Sequence, residues 1–100
     1  MSRNELSSLI DEAFLTLDEL CRVGAVDPDW VRDRVEAGLL AAASQASDPW
    51  QFEPRVIERV RCMIRLERDF DAVPELAALV ADLEHEIRHL RARLRAAGVG

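Results

Sequence analysis

The stretch LDELCRVGAVDPDWVRDRVEAGLL, residues 17–40, decides how this chain folds. Asp18 precedes Glu19, Leu20 and Cys21 and can cap a short helix that stops at Gly24, because aspartate accepts from orphan helix amides and glycine tolerates a left-handed exit. Asp27 followed by Pro28 is a stronger start: a capping carboxylate, then a residue whose missing amide would have gone unpaired. The second helix carries Trp30, Val31, Arg34 and Val35 and is ended by Gly38. Two short helices across the tight turn from Gly24 to Asp27 read as a helix-turn-helix.

Upstream, Leu6, Leu9, Ile10, Ala13 and Phe14 fall at helical spacing, while a strand through Phe14, Leu15 and Thr16 fits equally well, and both readings stay open. Downstream, residues 39–43 lose helical periodicity and a polar turn occupies residues 44–49. Trp50 and Phe52 then alternate around Gln51, which suits a half-buried strand and predicts a small hairpin or wing. Pro54, behind Glu53 as cap, opens a third helix running to about Phe70. Val56, Ile57, Val60, Met63, Ile64 and Phe70 share its apolar side and close the head. The residue before Pro74 is pushed out of helical geometry, so the chain breaks there and a last helix begins at Pro74.

That last helix has the clearest period in the chain. Leu76, Val80, Leu83, Ile87, Leu90, Leu94 and Ala97 alternate steps of four and three, a heptad seam that calls for a partner helix. β-Branched Val80 and Ile87 at one seam position, with leucine at the other, favour two strands. Asp82, Glu84 and Glu86 cluster early and Arg88, Arg91, Arg93 and Arg95 late, so an antiparallel homodimer sets opposite charges side by side. The competing arrangement packs the seam against the third helix of the same chain.

Composition bounds the function. The chain has 100 residues, a net charge of −6, and 32% charged residues with only four glycines and four prolines, which suits one small folded domain with an appended helix. The acidity is local: residues 1–53 hold eleven acids against four arginines, while residues 54–100 hold eight acids against nine. An acidic protein repels nucleic acid and anionic lipid and favours basic protein surfaces. The second helix, from Asp27 to Ala37, carries Asp27, Asp29, Asp33 and Glu36 against Arg32 and Arg34, and residues 39–53 have no lysine or arginine at all. A DNA reader needs the opposite balance there, since affinity for a duplex comes largely from neutralised phosphates.

No nucleophile–base pair, glycine-rich phosphate loop or metal motif is present, so neither catalysis nor a cofactor is expected. His85 and His89 stand at i and i+4 but lack a third ligand, which makes a solvated helix face the expectation. Cys21 and Cys62, far apart and without CxxC spacing, read as small buried hydrophobes in a reducing, cytoplasmic protein. No apolar run is long enough to cross a bilayer. Trp50 reads as core and Trp30 as a partly exposed anchor.

The order of these elements resembles a MerR-type winged helix with its dimerising helix. That implies a mostly α fold: a winged helix-turn-helix head over residues 1–73 with a small β wing, and a long C-terminal coiled-coil helix over residues 74–97. The arginine–tyrosine pair and the basic wing tip of the DNA-reading members find no match here. LDELC at residues 17–21, Trp50 and Phe52, IRLERDF at residues 64–70, Pro74, and LEHEIRHLRARL at residues 83–94 are similar to the CbpM family of chaperone modulators, a MerR-like offshoot. The resemblance implies an inhibitor that binds the J-domain of a DnaJ-like (CbpA-like) co-chaperone and competes with its Hsp70. Acidic residues facing a basic J-domain helix would be the contacts, with Asp27, Asp29, Trp30 and Asp33 as the expected set. A MerR-type transcription regulator and a coiled-coil adaptor are the alternatives.

Overall fold

The structure, a computed structural model, describes residues 14–43 and 50–98. It contains β1 (Leu15–Thr16), α1 (Leu17–Gly24), α2 (Pro28–Glu36), β2 (Gln51–Phe52), α3 (Val56–Asp69) and α4 (Pro74–Ala96). The expected helix over residues 6–13 and the polar turn at residues 44–49 lie outside the described residues. The chain divides into two compact units, Met1–Arg61 and Cys62–Gly100.

In the first unit the strand alternative holds for Leu15 and Thr16. β1 pairs antiparallel with β2, Leu15 opposite Phe52 and Thr16 opposite Gln51. The wing strand therefore finds its ladder in the segment before α1, rather than in a hairpin with residues 39–43. That stretch contributes one bond, from the Ala43 amide to the Gln51 carbonyl at 2.7 Å. Register puts Phe52 inward, and it is fully buried with Leu20, Val31 and Val60, while Val35, Leu40 and Val56 complete the core around them. Arg59 ties the loop after α2 to α3 by donating from Nε to the Leu39 carbonyl at 2.8 Å.

The caps differ from expectation in three places. Thr16, not Asp18, caps α1: its hydroxyl accepts from the Glu19 amide at 3.1 Å, and the Glu19 carboxylate accepts from the Thr16 amide at 2.9 Å. This reciprocal box is worth more than Asp18 could offer from inside the first turn. The Thr16 amide most of all, and then the Thr16 side chain, hold the Glu19 carboxyl below its usual range. Asp27 precedes Pro28 as expected but caps α2 without a side-chain bond. Pro54 and Arg55 form a turn, and α3 starts at Val56.

The exit from α1 reverses two roles. Ala25, not Gly24, takes the left-handed conformation, at φ 56° and ψ 47°. Gly24 is glycine for want of space: a Cβ there would lie 3.0 Å from Val60 Cγ1. A left-handed alanine costs about 1–2 kcal/mol, and the exposed Ala25 methyl contributes no packing to offset it. Ala25→Gly is therefore expected to stabilise the protein by about 1 kcal/mol in denaturant titration, after the entropy of the added glycine is counted. Unchanged or lower stability would mean that Ala25 is unstrained.

In the second unit α3 ends at Asp69, and the chain turns sharply. The amides of Phe70 and Ala72 both reach back to the Leu66 carbonyl, at 3.1 and 3.2 Å, and Asp71 is left-handed at φ 54°. Val73 then caps α4 from extended backbone, with Pro74 in its first turn. Phe70 was expected on the buried side of the third helix. It lies instead beyond the helix end, 71% exposed. The last turn has rotated it away from the side where Met63 is buried.

α4 has two unlike apolar faces. Ala77, Ala78 and Ala81 are buried, whereas Leu76, Leu83, Ile87, Leu90 and Leu94 are 46–54% exposed, with Val80 between them half-buried. The heptad residues thus leave about half of their surface uncovered within the chain.

Candidate protein-binding surfaces

Three surfaces are candidates for the chemistry of this protein. The first lies on α2, which buries Val31 and Val35 and turns Asp29, Asp33 and Glu36 outward at i, i+4 and i+7. Asp27 stands apart at the helix end. The structure thus gathers Asp29 and Asp33, with Trp30 beside them, and leaves Asp27 on the rim. The acids are not bare charges. Arg32 stands 3.7 Å from Asp29, and Arg34 donates to Asp33 at 3.1 Å while its guanidinium lies 4.4 Å from the centre of the Trp30 ring. The Asp29 side chain is 98% exposed, so its pair is weak and salt-sensitive. Trp30 and Trp50 are both half-buried; Trp50 meets Phe52 edge-on at 6.4 Å, and Phe52 is the core aromatic of the pair.

The second surface is the exposed seam of α4. Arginines stand behind acids along its length, and its bare leucines form the longest apolar stripe on the described surface. Singly exposed apolar residues are ordinary, but a continuous stripe of this kind marks an interface.

The third is a cluster of polar groups. The Cys62 thiol donates to Glu84 Oε2 at 3.2 Å, and Arg65 Nη2 donates to both oxygens of Glu84, at 3.2 and 3.4 Å. Burial and the neighbouring carboxylate push the Cys62 thiol up, so it remains a donor and not a nucleophile at neutral pH. The thiol and Arg65 hold Glu84 below the usual carboxylate range. Burial, followed by Asp18, likewise raises Cys21. Cys62, Arg65 and Glu84 fasten α3 to α4.

His85 and His89 are exposed, and among the described residues no three metal-binding side chains converge. Nor is any helix among them long and apolar enough to cross a membrane.

The family model described as MerR HTH family regulatory protein matches residues 15–97, from β1 through the end of α4. The chain belongs to the MerR HTH family of regulatory proteins. Within this MerR-type frame, its relatives include the chaperone modulatory protein CbpM of Pseudomonas entomophila (strain L48). That protein is 27% identical over 77 residues, covering 77% of this chain and 76% of its own length.

Proposed function

We propose that this protein is a cytoplasmic chaperone modulator that binds the J-domain of a DnaJ-like co-chaperone and obstructs its engagement of Hsp70, acting as a dimer and without catalysis. The observation that carries this reading is the likeness to a chaperone modulatory protein over three quarters of both chains. The chemistry of α2 supports it. In a helix-turn-helix that reads DNA the second helix enters the major groove. Here that helix presents Asp29, Asp33 and Glu36, and its two arginines are drawn onto Asp29, Asp33 and Trp30. Such a surface repels a phosphate backbone and attracts a basic helix. Asp27, Asp29, Trp30 and Asp33 are the contacts this reading assigns to the head.

The dimer follows from α4. Of the seam positions Leu76, Val80, Leu83, Ile87, Leu90 and Leu94, those from Val80 onward pair two copies in the register that the flanking charges select, and Leu76 lies past the end of the second helix. When Ile87 layers against Leu90 of an antiparallel second copy, Glu84 faces Arg91 and Glu86 faces Arg93, and the two-fold axis repeats both contacts. A slip of one heptad sets Glu84 and Glu86 against themselves, or Arg91 and Arg93 against themselves. A parallel pair keeps only Glu86 beside Arg91. Each exposed pair is worth only about 0.2–1 kcal/mol, so these charges specify alignment while the leucines supply affinity.

Calorimetric titration of the full chain with the isolated J-domain of a DnaJ-like co-chaperone, at moderate and high salt, tests the reading. Saturable binding that weakens as salt rises is expected. Absence of binding at high micromolar concentration would overturn it, and salt-sensitive binding to a specific duplex would put a transcription regulator in its place.

A further inference from the structure

The corner between α3 and α4 is the least explained surface of the described chain. Phe70 is 71% exposed and Val73 59%, and Leu76 and Leu79 continue the apolar surface along the first turns of α4. Nothing in the core requires a phenylalanine there. The turn that holds it is fixed by two amide bonds to Leu66, by left-handed Asp71 and by Pro74, so the ring is presented on ordered backbone. Asp69 and Asp71 flank it along the chain and Glu75 follows in the first turn of α4, all exposed, with Arg68 the one cation in the stretch 68–75.

In the proposed dimer the overlap of the two α4 helices does not extend to this corner. In the register set by the flanking charges, α4 of the second copy reaches Val80 with its last turn. That helix ends at Ala96, with Gly98 left-handed beyond it, and so stops short of Leu76.

We propose that the Phe70 corner is a docking surface for a positively charged amphipathic helix of a protein partner, with Phe70, Val73 and Leu76 as apolar anchors and Asp69, Asp71 and Glu75 as its charged rim. Charge complementarity selects this occupant. The rim acids have one arginine among them, whereas each of the exposed acids Asp29 and Asp33 on α2 already has its own. An aromatic anchor on a rigid turn loses little entropy on binding, and aromatic residues at the centre of an acid-bordered patch concentrate binding energy. The corner is thus the main source of affinity and α2 the weaker, steering surface. The partner used to test it rests on the chaperone reading above.

The experiment titrates the full-length dimer and three variants with the isolated J-domain. Phe70→Ala is expected to weaken binding about thirtyfold or more, the scale of a hot-spot residue. Val73→Ser removes an anchor while supplying a better helix cap, so its expected loss of binding of about fivefold or more cannot come from unfolding. The pair Asp71→Asn with Glu75→Gln is expected to slow association and flatten its salt dependence; asparagine is chosen because it tolerates the left-handed backbone. Sedimentation mass should not change in any of them. If the unaltered protein binds and Phe70→Ala binds within about twofold of it, the corner is not the docking surface while the chaperone reading stands. If Phe70→Ala instead splits the dimer, a second copy covers the corner and the proposal fails. No binding by the unaltered protein removes both readings.

Discussion

Ile87→Lys is expected to halve the mass of this protein in sedimentation without altering its melting as a monomer. Ile87 lies at the middle of the seam and is 47% exposed in the single chain, outside the buried core. In the proposed dimer two copies of it sit close to the two-fold axis. Each isoleucine removed from that seam forfeits about 1.5–3 kcal/mol of burial, and two lysine charges near the axis repel one another besides. A loss of about 4–6 kcal/mol weakens association by at least about three orders of magnitude. The head should keep its tryptophan fluorescence, because Trp30 and Trp50 both belong to the first unit. A variant that remains dimeric would show that α4 pairs through another face, or that the dimer forms elsewhere.

Phe52→Ala is expected to destabilise the first unit by about 3–5 kcal/mol, the range for truncating a buried aromatic residue. The side chain is fully enclosed, meets Trp50 edge-on at 6.4 Å, and lies on the two-residue strand that pairs with β1. Few alternative contacts exist in so short a sheet, so the cavity cannot close by a small shift. Typical domains are stable by only about 5–15 kcal/mol, and a domain this small lies toward the lower end. A fall in melting temperature of about 15 °C or more, followed through Trp30 and Trp50 fluorescence, is the expected result. A loss under about 1 kcal/mol would mean that the core is organised around Leu20 and Val60, with the wing as an accessory.

Much of this architecture is legible in the residues because it is local. Asp27-Pro28 and Pro74 start helices through backbone geometry alone, and Gly38 adopts the left-handed conformation expected of it, at φ 77°. The heptad is legible for the same reason: seven apolar residues at steps of four and three define one stripe, and it is the stripe that lies exposed. What escaped was set by distant or competing contacts. The pairing of β1 with β2 joins segments about 35 residues apart, and no periodicity reports it. Thr16 displaces Asp18 as cap because Glu19, three residues on, completes its box. Gly24 looked like a helix stop when its role is clearance for Val60. Of the head residues expected to bind a partner, Asp29, Trp30 and Asp33 do come together on α2. Their arginine pairs were readable in the spacing of Arg32 and Arg34, but weighing them required the stacked position of Arg34. Phe70 was assigned to a helical face that ends one residue before it.

The two faces of α4 can be rewritten separately. Ala77, Ala78 and Ala81 are buried in the fold, while the leucines a third of a turn away keep about half of their surface for whatever lies outside it. Exchange of the outer face for a pair of complementary zippers would yield an obligate heterodimer carrying one intact and one altered head. If α4 pairs as proposed, drift in that face would likewise retune who assembles with whom, while the buried residues of the fold stayed as they are.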